Sequence, residues 1–327
     1  MSIITVGVLR GGPSNEYEVS LGTGANMLKA LREKLATSYR AKDIFISKDG
    51  VWHIDGVPRK PEEILQQIDV AILALHGTYG EDGKVQELLE SFGIPFTGSG
   101  SLASAVAMNK NLSKKAFASQ GIKVAADIIV ESKAIQHDVD AIAQDIFRSF
   151  SMPAVVKPVC SGSSVGVSIV KSAKELKKGL VEAAKHSDMV MVEEYIKGTE
   201  ASVGVIEGFR GEDIYVLPVA EIRPKNEFFD YEAKYQGASE EIVPATFSKE
   251  LKQELGILAR KAHAALGLRH YSRTDFMIHP KRGIFTLEIN TLPGMADQSI
   301  IPKALLAVGS DGHELFDHLI KLALQKK

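Results

Sequence analysis

Two apolar segments near the carboxyl end of the chain carry polar residues at alternating positions. Arg273 and Asp275 interrupt the first segment, and Glu288 and Asn290 interrupt the end of the second. Side chains two residues apart on a β-strand point to the same face, so each pair predicts one polar patch on an otherwise buried strand. A turn at 279–283 separates the segments and predicts a hairpin, which brings the four side chains together. No other stretch of the sequence restricts the fold as strongly.

Oxygen donors of this kind suit a divalent cation. Mg²⁺ takes one or two carboxylates from a protein and completes its shell with phosphate oxygens and water. We therefore predict that Asp275, Glu288 and Asn290 hold metal and that Arg273 supplies a fixed cation for developing negative charge. The alternative is an edge strand with a solvated polar face. The apolar flanking residues disfavour it, because a buried charge without a partner is costly.

A magnesium site of this type predicts a phosphate ligand nearby. The chain has no G-x-x-x-x-G-K-[ST] loop, because five residues separate Gly77 from Gly83 and Val85 replaces the hydroxyl residue. The better candidate is the glycine-serine loop at 160–166, which joins two predicted strands. Its small residues let backbone N–H groups approach phosphate oxygens. A plain mobile turn is the alternative.

Charged residues flank the segment that leads out of this loop. Lys157 ends the strand before the loop and offers a point charge to phosphate. Glu193 and Glu200 lie where the chain crosses from a middle segment into the last one, and such a crossover is a common place for a nucleotide cleft. Either carboxylate can accept from a base or a ribose. A solvated linker is the alternative.

The order of elements predicts more than one domain, since 327 residues exceed what one core usually supports. Strands alternate with helices over the first hundred residues, which indicates a parallel sheet covered by helices. Asn15 and Glu18 have capping-box spacing at the start of the first helix. A small α+β segment and a mostly β segment follow a helix at 101–120. We predict domains over 1–100, 101–195 and 196–327.

Composition excludes several classes of protein. The chain is 45% hydrophobic and 24% charged with a net charge of −2, so nothing predicts nucleic acid or a membrane surface as partner. A single cysteine, Cys160, excludes an internal disulfide and fits a reducing compartment. No run approaches the roughly 18 apolar residues of a membrane span. The first apolar run meets glycines too early for a signal peptide. We expect a cytoplasmic enzyme.

Together these segments resemble the ATP-grasp superfamily and, within it, the D-alanine–D-alanine ligases. The resemblance extends over nearly the whole chain in the same order. The matching stretches are 11–12, 16–20, 76–83, 108–110, 162–167, 231–235, 273–275 and 288–295. The acidic strands are general to ATP-grasp enzymes. The Tyr-Glu-Ala-Lys-Tyr loop at 231–235 and the Asn-Thr-Leu-Pro-Gly-Met turn at 290–295 are much more specific to the ligases.

The resemblance implies a fold, an activity and a set of ligands. The fold is a three-domain ATP-grasp architecture, in which an amino-terminal Rossmann-like parallel-sheet domain precedes two α+β domains that sandwich ATP. The activity is ATP-dependent condensation of two D-alanines through a D-alanyl phosphate, for peptidoglycan synthesis. Two Mg²⁺ or Mn²⁺ ions and a cytoplasmic homodimer belong to the same expectation.

The resemblance also assigns roles to individual residues. The implied ATP ligands are Lys110, Lys157, Ser163, Ser164, Glu193, Glu200 and Lys234. The implied metal ligands are Asp275, Glu288 and Asn290, with Glu288 bridging the two ions. The implied substrate and catalytic residues are Glu16, His76, Ser163, Lys234, Tyr235, Arg273, Gly294 and Ser299.

Within the last group, Glu16 takes the ammonium of the first D-alanine and Ser299 meets the carboxylate of the second. Arg273 and the Gly294 N–H form the oxyanion site, and His76 lies near the first substrate or is a packing residue.

The remaining roles belong to a lid. Lys234 reaches the transferring phosphate, and Tyr235 closes the lid through hydrogen bonds with Ser163 and Glu16. Closure excludes the water that destroys an acyl phosphate.

Several alternatives stay open at this point. Asp297 departs from the family pattern and adds a negative charge where a substrate carboxylate is expected, so D-serine or D-lactate is an alternative second substrate. The loop at 231–235 favours an amino acid over a hydroxy acid. A dehydrogenase is disfavoured because Gly11 and Gly12 do not form G-x-G-x-x-G. A non-catalytic ATP-binding sensor does not need every charge-handling group that this chain carries.

Overall fold

The computed structural model describes residues 3–224 and 239–325. The amino-terminal part folds around a five-stranded sheet. Its strands are β1 (Ile4–Gly11), β2 (Tyr39–Ile46), β3 (Trp52–Ile54), β4 (Val57–Pro58) and β5 (Val70–Leu73). Their order is β4-β3-β2-β1-β5, and β1 is parallel to both of its neighbours. The predicted parallel sheet is confirmed, and the antiparallel β3 and β4 extend it.

Three helices accompany this sheet, and the first one positions a predicted site residue. They are α1 (Tyr17–Glu33), α2 (Pro61–Leu65) and α3 (Lys84–Ser91). Glu16 is the N-cap of α1 and makes no side-chain cap hydrogen bond. The predicted capping box of Asn15 and Glu18 is therefore wrong, because Asn15 lies one residue before the cap.

The single helix predicted over 101–120 is two helices. They are α4 (Ser101–Met108) and α5 (Lys110–Ser119). Asn109 between them is extended, and its side chain accepts hydrogen bonds from the Asn111 and Leu112 N–H groups. This cap satisfies the first donors of α5. Lys110 and Lys114 are therefore one helical turn apart, and both are buried.

A four-stranded antiparallel sheet forms the central part. Its strands are β6 (Asp127–Glu131), β7 (Ala154–Pro158), β8 (Ser168–Val170) and β9 (Met189–Glu194), in the order β6-β9-β7-β8. Helices α6 (Ser132–Ser149) and α7 (Ala173–Ala183) bury their apolar faces against it. The glycine-serine loop connects β7 to β8 as predicted. Helix α6 was not predicted; non-helical dihedrals at Asp138 interrupt its pattern.

A six-stranded sheet forms the last part. Its strands are β10 (Thr199–Glu207), β11 (Ile214–Val216), β12 (Ala220–Pro224), β13 (Ser239–Ile242), β14 (Tyr271–His279) and β15 (Gly283–Asn290). The order is β13-β12-β10-β14-β15, with β11 also paired to β10. The helices are a 3-10 turn (Phe209–Gly211), α8 (Lys249–Ala265), α9 (Ile300–Ala307) and α10 (Gly312–Leu324).

The last helix returns to the first sheet. Leu315 and Leu319 of α10 are buried in the same core as Val6 and Ile72. The segment after β15 also meets this part of the chain, since the Leu292 carbonyl oxygen lies 2.8 Å from Nδ1 of His76, three residues after β5. The three sheets fall within the predicted domains, while the boundaries at 100 and 195 stay a prediction. Among residues 3–224 and 239–325, no helix is long and apolar enough to span a bilayer.

Candidate active site

The polar hairpin lies at the centre of the molecule. Asp275 of β14 is opposite Glu288 of β15, and Arg273 is opposite Asn290. The Asp275 carboxylate accepts from Arg273 Nε at 2.9 Å and Nη2 at 2.8 Å, from Asn290 Nδ2 at 3.1 Å, and from Ser202 Oγ. The structure thus brings the predicted side chains together. Their role as metal ligands stays a prediction.

The donors of this hairpin fit Mg²⁺ by their chemistry. Two carboxylates and one amide oxygen are hard ligands, and they lie on adjacent strands at matching register. Burial opposes the charge of Arg273, but Asp275 raises the pKa of the guanidinium well above its ordinary value. Arg273 is therefore a permanent cation beside the carboxylates.

A second charged cluster is buried between the central sheet and α5. Glu193 is 4% exposed, and its two oxygens lie 2.5 Å from Lys114 Nζ and 2.5 Å from Lys157 Nζ. Lys114 also pairs with Asp127 at 2.6 Å. Burial raises the pKa of the Glu193 carboxyl, but the charges of Lys157 and Lys114 outweigh it and hold the pKa below its ordinary value. The cluster fixes Lys157 at the end of β7, directly before the glycine-serine loop.

The glycine-serine loop has an unusual backbone. Ser163 and Ser164 both have left-handed dihedrals, with φ of 52° and 56°. Such conformations are costly for residues other than glycine and are concentrated at functional sites. Lys110 Nζ donates to Ser161 O at 2.7 Å and lies 3.3 Å from a Glu288 oxygen. This lysine therefore joins the loop to the acidic hairpin.

A cavity of about 240 Å³ separates the central sheet from the last sheet. Apolar side chains line it, among them Val155, Ile169, Ile196, Met277 and Leu287. Charged and polar residues also line it, and they include Lys110, Lys157, Ser164, Glu193, Glu200, Asp275 and Glu288. A cavity with both apolar and charged walls suits a flat base attached to phosphates.

A second cavity of about 460 Å³ opens on the other side of the hairpin. Its walls come from the amino-terminal loops, the last sheet and the segment after β15. They contain Glu16, His76, Ser163, Arg273, Asn290, Gly294 and Ser299. Both cavities share Glu200, Asp275 and Glu288, so the acidic hairpin is where their contents meet.

Glu16 projects into the second cavity between two glycines. A Cβ atom on Gly77 would lie 2.5 Å from Glu16 Oε2, and one on Gly162 would lie 2.8 Å from the same oxygen. Any side chain at either position would displace the carboxylate. The Glu16 carboxylate can therefore occupy this position only because both neighbours are glycine.

His76 is buried, and both of its ring nitrogens have protein partners. Nδ1 lies 2.8 Å from the Leu292 carbonyl oxygen, and Nε2 lies 2.8 Å from Thr23 Oγ1. A carbonyl only accepts, so Nδ1 carries the proton and Nε2 accepts from the threonine hydroxyl. Burial lowers the pKa of His76, which keeps the ring neutral. Its contacts are those of a positioning residue.

The segment after β15 presents backbone donors to the second cavity. We name residues 292–295 the Pro-Gly turn. Among the described residues, no group accepts a hydrogen bond from the Gly294 N–H. A Cβ atom at Gly294 would lie 2.9 Å from Ser299 Oγ, so glycine lets this hydroxyl approach the turn. Ser299 is the N-cap residue of α9, but its side chain makes no cap hydrogen bond. Helix N-termini favour anions.

Asp297 does not line either cavity. Its carboxylate accepts from Asn26 Nδ2 at 2.9 Å, and the same amide donates to the Met295 carbonyl at 3.2 Å. Asp297 is therefore not part of the cavity lining, and its effect on a substrate carboxylate stays a prediction. Asp297 instead joins the segment after β15 to α1.

Comparison with known proteins identifies the family. The D-ala D-ala ligase N-terminus model matches residues 55–99, and the D-ala D-ala ligase C-terminus model matches residues 116–321. The D-alanine--D-alanine ligase of Geotalea uraniireducens (strain Rf4) is 41% identical over 322 residues, which are 98% of this chain and 96% of that relative. The chain belongs to the D-alanine–D-alanine ligase family.

Solved structures agree with this membership. The D-alanine–D-alanine ligase of Bacillus anthracis complexed with ATP has a TM-score of 0.80 and 34% identity, and the match covers 99% of this chain and 98% of that one. The VanG D-Ala:D-Ser ligase of Enterococcus faecalis has a TM-score of 0.83 and 27% identity, covering 99% of this chain and 100% of that one. The predicted ATP-grasp architecture is confirmed.

The ligase family resemblance did not assign every residue that shapes the site. Lys114, Glu81, Ser202 and Thr23 were missed. Lys114 lies four residues after Lys110 on one helix, and this spacing is the signal that could have found it. Two predicted lid residues, Lys234 and Tyr235, lie outside the described residues.

Glu81 is the most informative of the missed residues. Its carboxylate oxygens accept from the Gly77 N–H at 2.8 Å and from the Leu292 N–H at 3.1 Å. Burial raises the pKa of Glu81 to about 8, and the nearby charge of Glu16 adds to this effect. A carboxyl group in such surroundings has a specific structural or functional reason to be there.

Proposed function

We propose that this protein joins two D-alanine molecules at the expense of ATP and supplies the D-alanyl-D-alanine dipeptide for peptidoglycan synthesis. The observation that carries the proposal is the meeting of two cavities at one acidic hairpin. One cavity suits a nucleotide, and the other is lined by the Glu16 carboxylate and the Ser299 hydroxyl. Membership of the ligase family supports the same conclusion.

In the first step, an oxygen of the first D-alanine carboxylate attacks the γ-phosphorus of ATP. The phosphorus–oxygen bond to ADP breaks, and D-alanyl phosphate forms. Lys110 and Lys157 are placed to neutralise charge on the phosphoryl oxygens, beneath the Ser163–Ser164 loop. Glu16 holds the ammonium group of the same D-alanine, so the carboxylate points to the hairpin.

Asp275, Glu288 and Asn290 are the residues that would hold Mg²⁺ or Mn²⁺. When bound, such ions neutralise charge on the transferring phosphoryl group. The protein's own contribution is to place the carboxylates beside Lys110 and Arg273, where their charge is compensated until the nucleotide arrives.

In the second step, the neutral amine of the second D-alanine attacks the carbonyl carbon of the acyl phosphate. A carbon–nitrogen bond forms and the carbon–oxygen bond to phosphate breaks. Phosphate leaves with one oxygen of the original carboxylate and takes up the proton that the amine loses. Arg273 and the Gly294 N–H border the cavity where the tetrahedral oxyanion develops. Ser299 and the start of α9 receive the carboxylate of the second D-alanine.

The test is phosphate release from ATP and Mg²⁺ with single and paired substrates, with the products identified by mass. We expect release to require D-alanine and the product to be D-alanyl-D-alanine. D-serine and D-lactate serve as competing second substrates. If either one replaces D-alanine as the favoured partner, the named product is wrong. If no amino acid stimulates release while ATP binds, the protein is an ATP sensor.

The resident ions and the assembly belong to the same proposal. Two Mg²⁺ or Mn²⁺ ions, a homodimer and a cytoplasmic location follow from the family resemblance. Metal titration of the phosphate-release rate and light scattering of the purified protein test the first two. A monomer at micromolar concentration would exclude the dimer without affecting the chemistry.

A further inference from the structure

The Pro-Gly turn is held mainly by side chains of the amino-terminal part of the chain. Leu292 donates its N–H to Glu81 Oε1 at 3.1 Å and accepts at its carbonyl from His76 Nδ1 at 2.8 Å. At the other end of the turn, the Met295 N–H donates to Thr23 Oγ1 at 3.4 Å, and its carbonyl accepts from Asn26. Both ends of the turn are therefore fixed, and Gly294 lies between them.

Glu81 differs from the other three side chains that hold the turn, because it accepts from two backbone N–H groups in different parts of the chain. One oxygen accepts from Leu292, and the other accepts from Gly77 at 2.8 Å. Gly77 is the residue whose missing side chain leaves room for the Glu16 carboxylate. A single carboxylate thus connects the loop beside Glu16 to the turn that carries Gly294.

The two parts of the chain that Glu81 connects contact opposite ends of the same substrate in the proposed reaction. In the proposed reaction, Glu16 holds the ammonium group of the first D-alanine, and the Gly294 N–H stabilises the oxyanion that forms at its carbonyl. The distance between these groups must match a small rigid molecule. A misplacement of about 1 Å costs on the order of 100-fold in rate.

We propose that Glu81 is a positioning residue that sets the spacing between the ammonium site and the oxyanion donor by holding the Gly77 loop against the Pro-Gly turn. The proposal rests on the proposed function. Glu81 does not line the nucleotide cavity, although it shares a smaller cavity with Lys110. Its two hydrogen bonds go to the Gly77 loop and to the Pro-Gly turn, so we expect its loss to affect D-alanine more than ATP.

The test compares Glu81→Gln and Glu81→Ala with the wild type in the full chain, by steady-state kinetics for D-alanine and for ATP. Gln retains one acceptor oxygen and Ala retains none. We expect kcat/KM for D-alanine to fall about 10-fold in E81Q and about 100-fold or more in E81A, with KM for ATP changed less than about twofold. Glu87→Gln, an exposed change on α3, is the matched control and should match the wild type.

Thr23→Val gives a second and independent reading. It removes the hydroxyl that accepts from the Met295 N–H. Among the predicted substrate residues, this hydroxyl bonds only to His76. Because both changes act on one turn, the losses in E81Q and T23V should not multiply in the double variant. Multiplying losses would show that Glu81 acts on a separate feature.

Besides multiplying losses in the double variant, two results overturn the inference. One is an active wild type with an E81Q variant of equal kcat/KM for D-alanine. The other is an E81Q variant whose KM values for ATP and D-alanine rise together with a lower unfolding temperature, which is the result of a general loss of folding. A wild type that forms no dipeptide refutes the proposed function instead, and this inference falls with it.

Discussion

Replacing Glu193 with glutamine removes the only negative charge that lies between two buried lysines in the described part of the chain. Each ammonium is 2.5 Å from a carboxylate oxygen, and Glu193 is 4% exposed. Breaking a buried ion pair costs about 3–5 kcal/mol, because the remaining charge stays out of water. Lys114 keeps Asp127, so Lys157 carries most of this loss.

The double variant E193Q/K157M separates the unpaired charge from the loss of shape. Methionine fills most of the lysine's volume without a charge, and neutral replacements of whole buried pairs are often tolerated. We expect the double variant to recover at least about 2 kcal/mol relative to E193Q. Its ATPase activity should still be lost, because Lys157 is a proposed phosphate ligand.

The assay is native-state hydrogen exchange at the amides of β7 and β9, which reports the local free energy of opening. A global melt is less suitable, because a chain with several cores does not unfold in two states. Glu194→Gln is the control, since the neighbouring Glu194 pairs with Arg282 at the surface, where ion pairs contribute less than about 1 kcal/mol. If E193Q costs no more than E194Q, or if the double variant is less stable than E193Q, the reasoning about the buried cluster is wrong.

Three further predictions concern other parts of the molecule. Gly294→Ala places a Cβ atom 2.9 Å from Ser299 Oγ, so KM for D-alanine should rise about 10-fold in steady-state assays while the unfolding temperature stays near the wild-type value. Ser202→Ala removes one hydrogen bond to Asp275 without changing charge. It should lower the free energy of local opening by about 1 kcal/mol, measured by hydrogen exchange at the amides of β10 and β14, and raise the Mg²⁺ concentration needed for half-maximal activity. Burial opposes the charge of Glu207, but the His263 ring, whose Nε2 lies 3.5 Å from one Glu207 oxygen, and the His270 N–H, which donates to the other, lower its pKa to about 2. The ionised Glu207 contributes about 2 kcal/mol to the free energy of unfolding, after allowance for its partial exposure. This contribution is present above the ordinary pKa of 4.5 and is lost as pH falls towards 2. In a Glu207→Gln variant, the free energy of unfolding should therefore depend less on pH over this range.

The acidic hairpin can be predicted from the sequence because it is formed by residues that are close together along the chain. Arg273 and Asp275 share a face by strand periodicity, and a short turn sets their register against Glu288 and Asn290. The position of the glycine-serine loop can be predicted for the same reason, since the residues before and after it form adjacent strands.

Contacts between distant parts of the chain cannot be predicted from local sequence patterns. Glu81 and Leu292 are separated by 211 positions, and nothing in either local pattern indicates that they meet. The orientation of Asp297 towards Asn26 has the same origin, since α1 and the segment after β15 meet only in the folded molecule. Asp297 is close to Ser299 in sequence, but this does not fix the direction of its side chain, which bonds to Asn26.

Local patterns also fail where one residue changes the backbone path. Asn109 ends one helix and caps the next, so the continuous apolar pattern across 101–120 predicted one helix where there are two. Asp138 breaks the pattern of α6 with non-helical dihedrals. Both residues carry short polar side chains that bond nearby backbone N–H groups, which competes with the regular helix.

The central claim is that one cleft transfers the γ-phosphoryl group of ATP to the carboxylate of D-alanine before the peptide bond forms. The most direct measurement uses D-alanine with ¹⁸O in both carboxylate oxygens, ATP and Mg²⁺, followed by mass analysis of the released phosphate. The account predicts one ¹⁸O atom in each phosphate formed together with D-alanyl-D-alanine. Phosphate without ¹⁸O would mean that water attacks ATP directly, and the acyl phosphate step would be wrong.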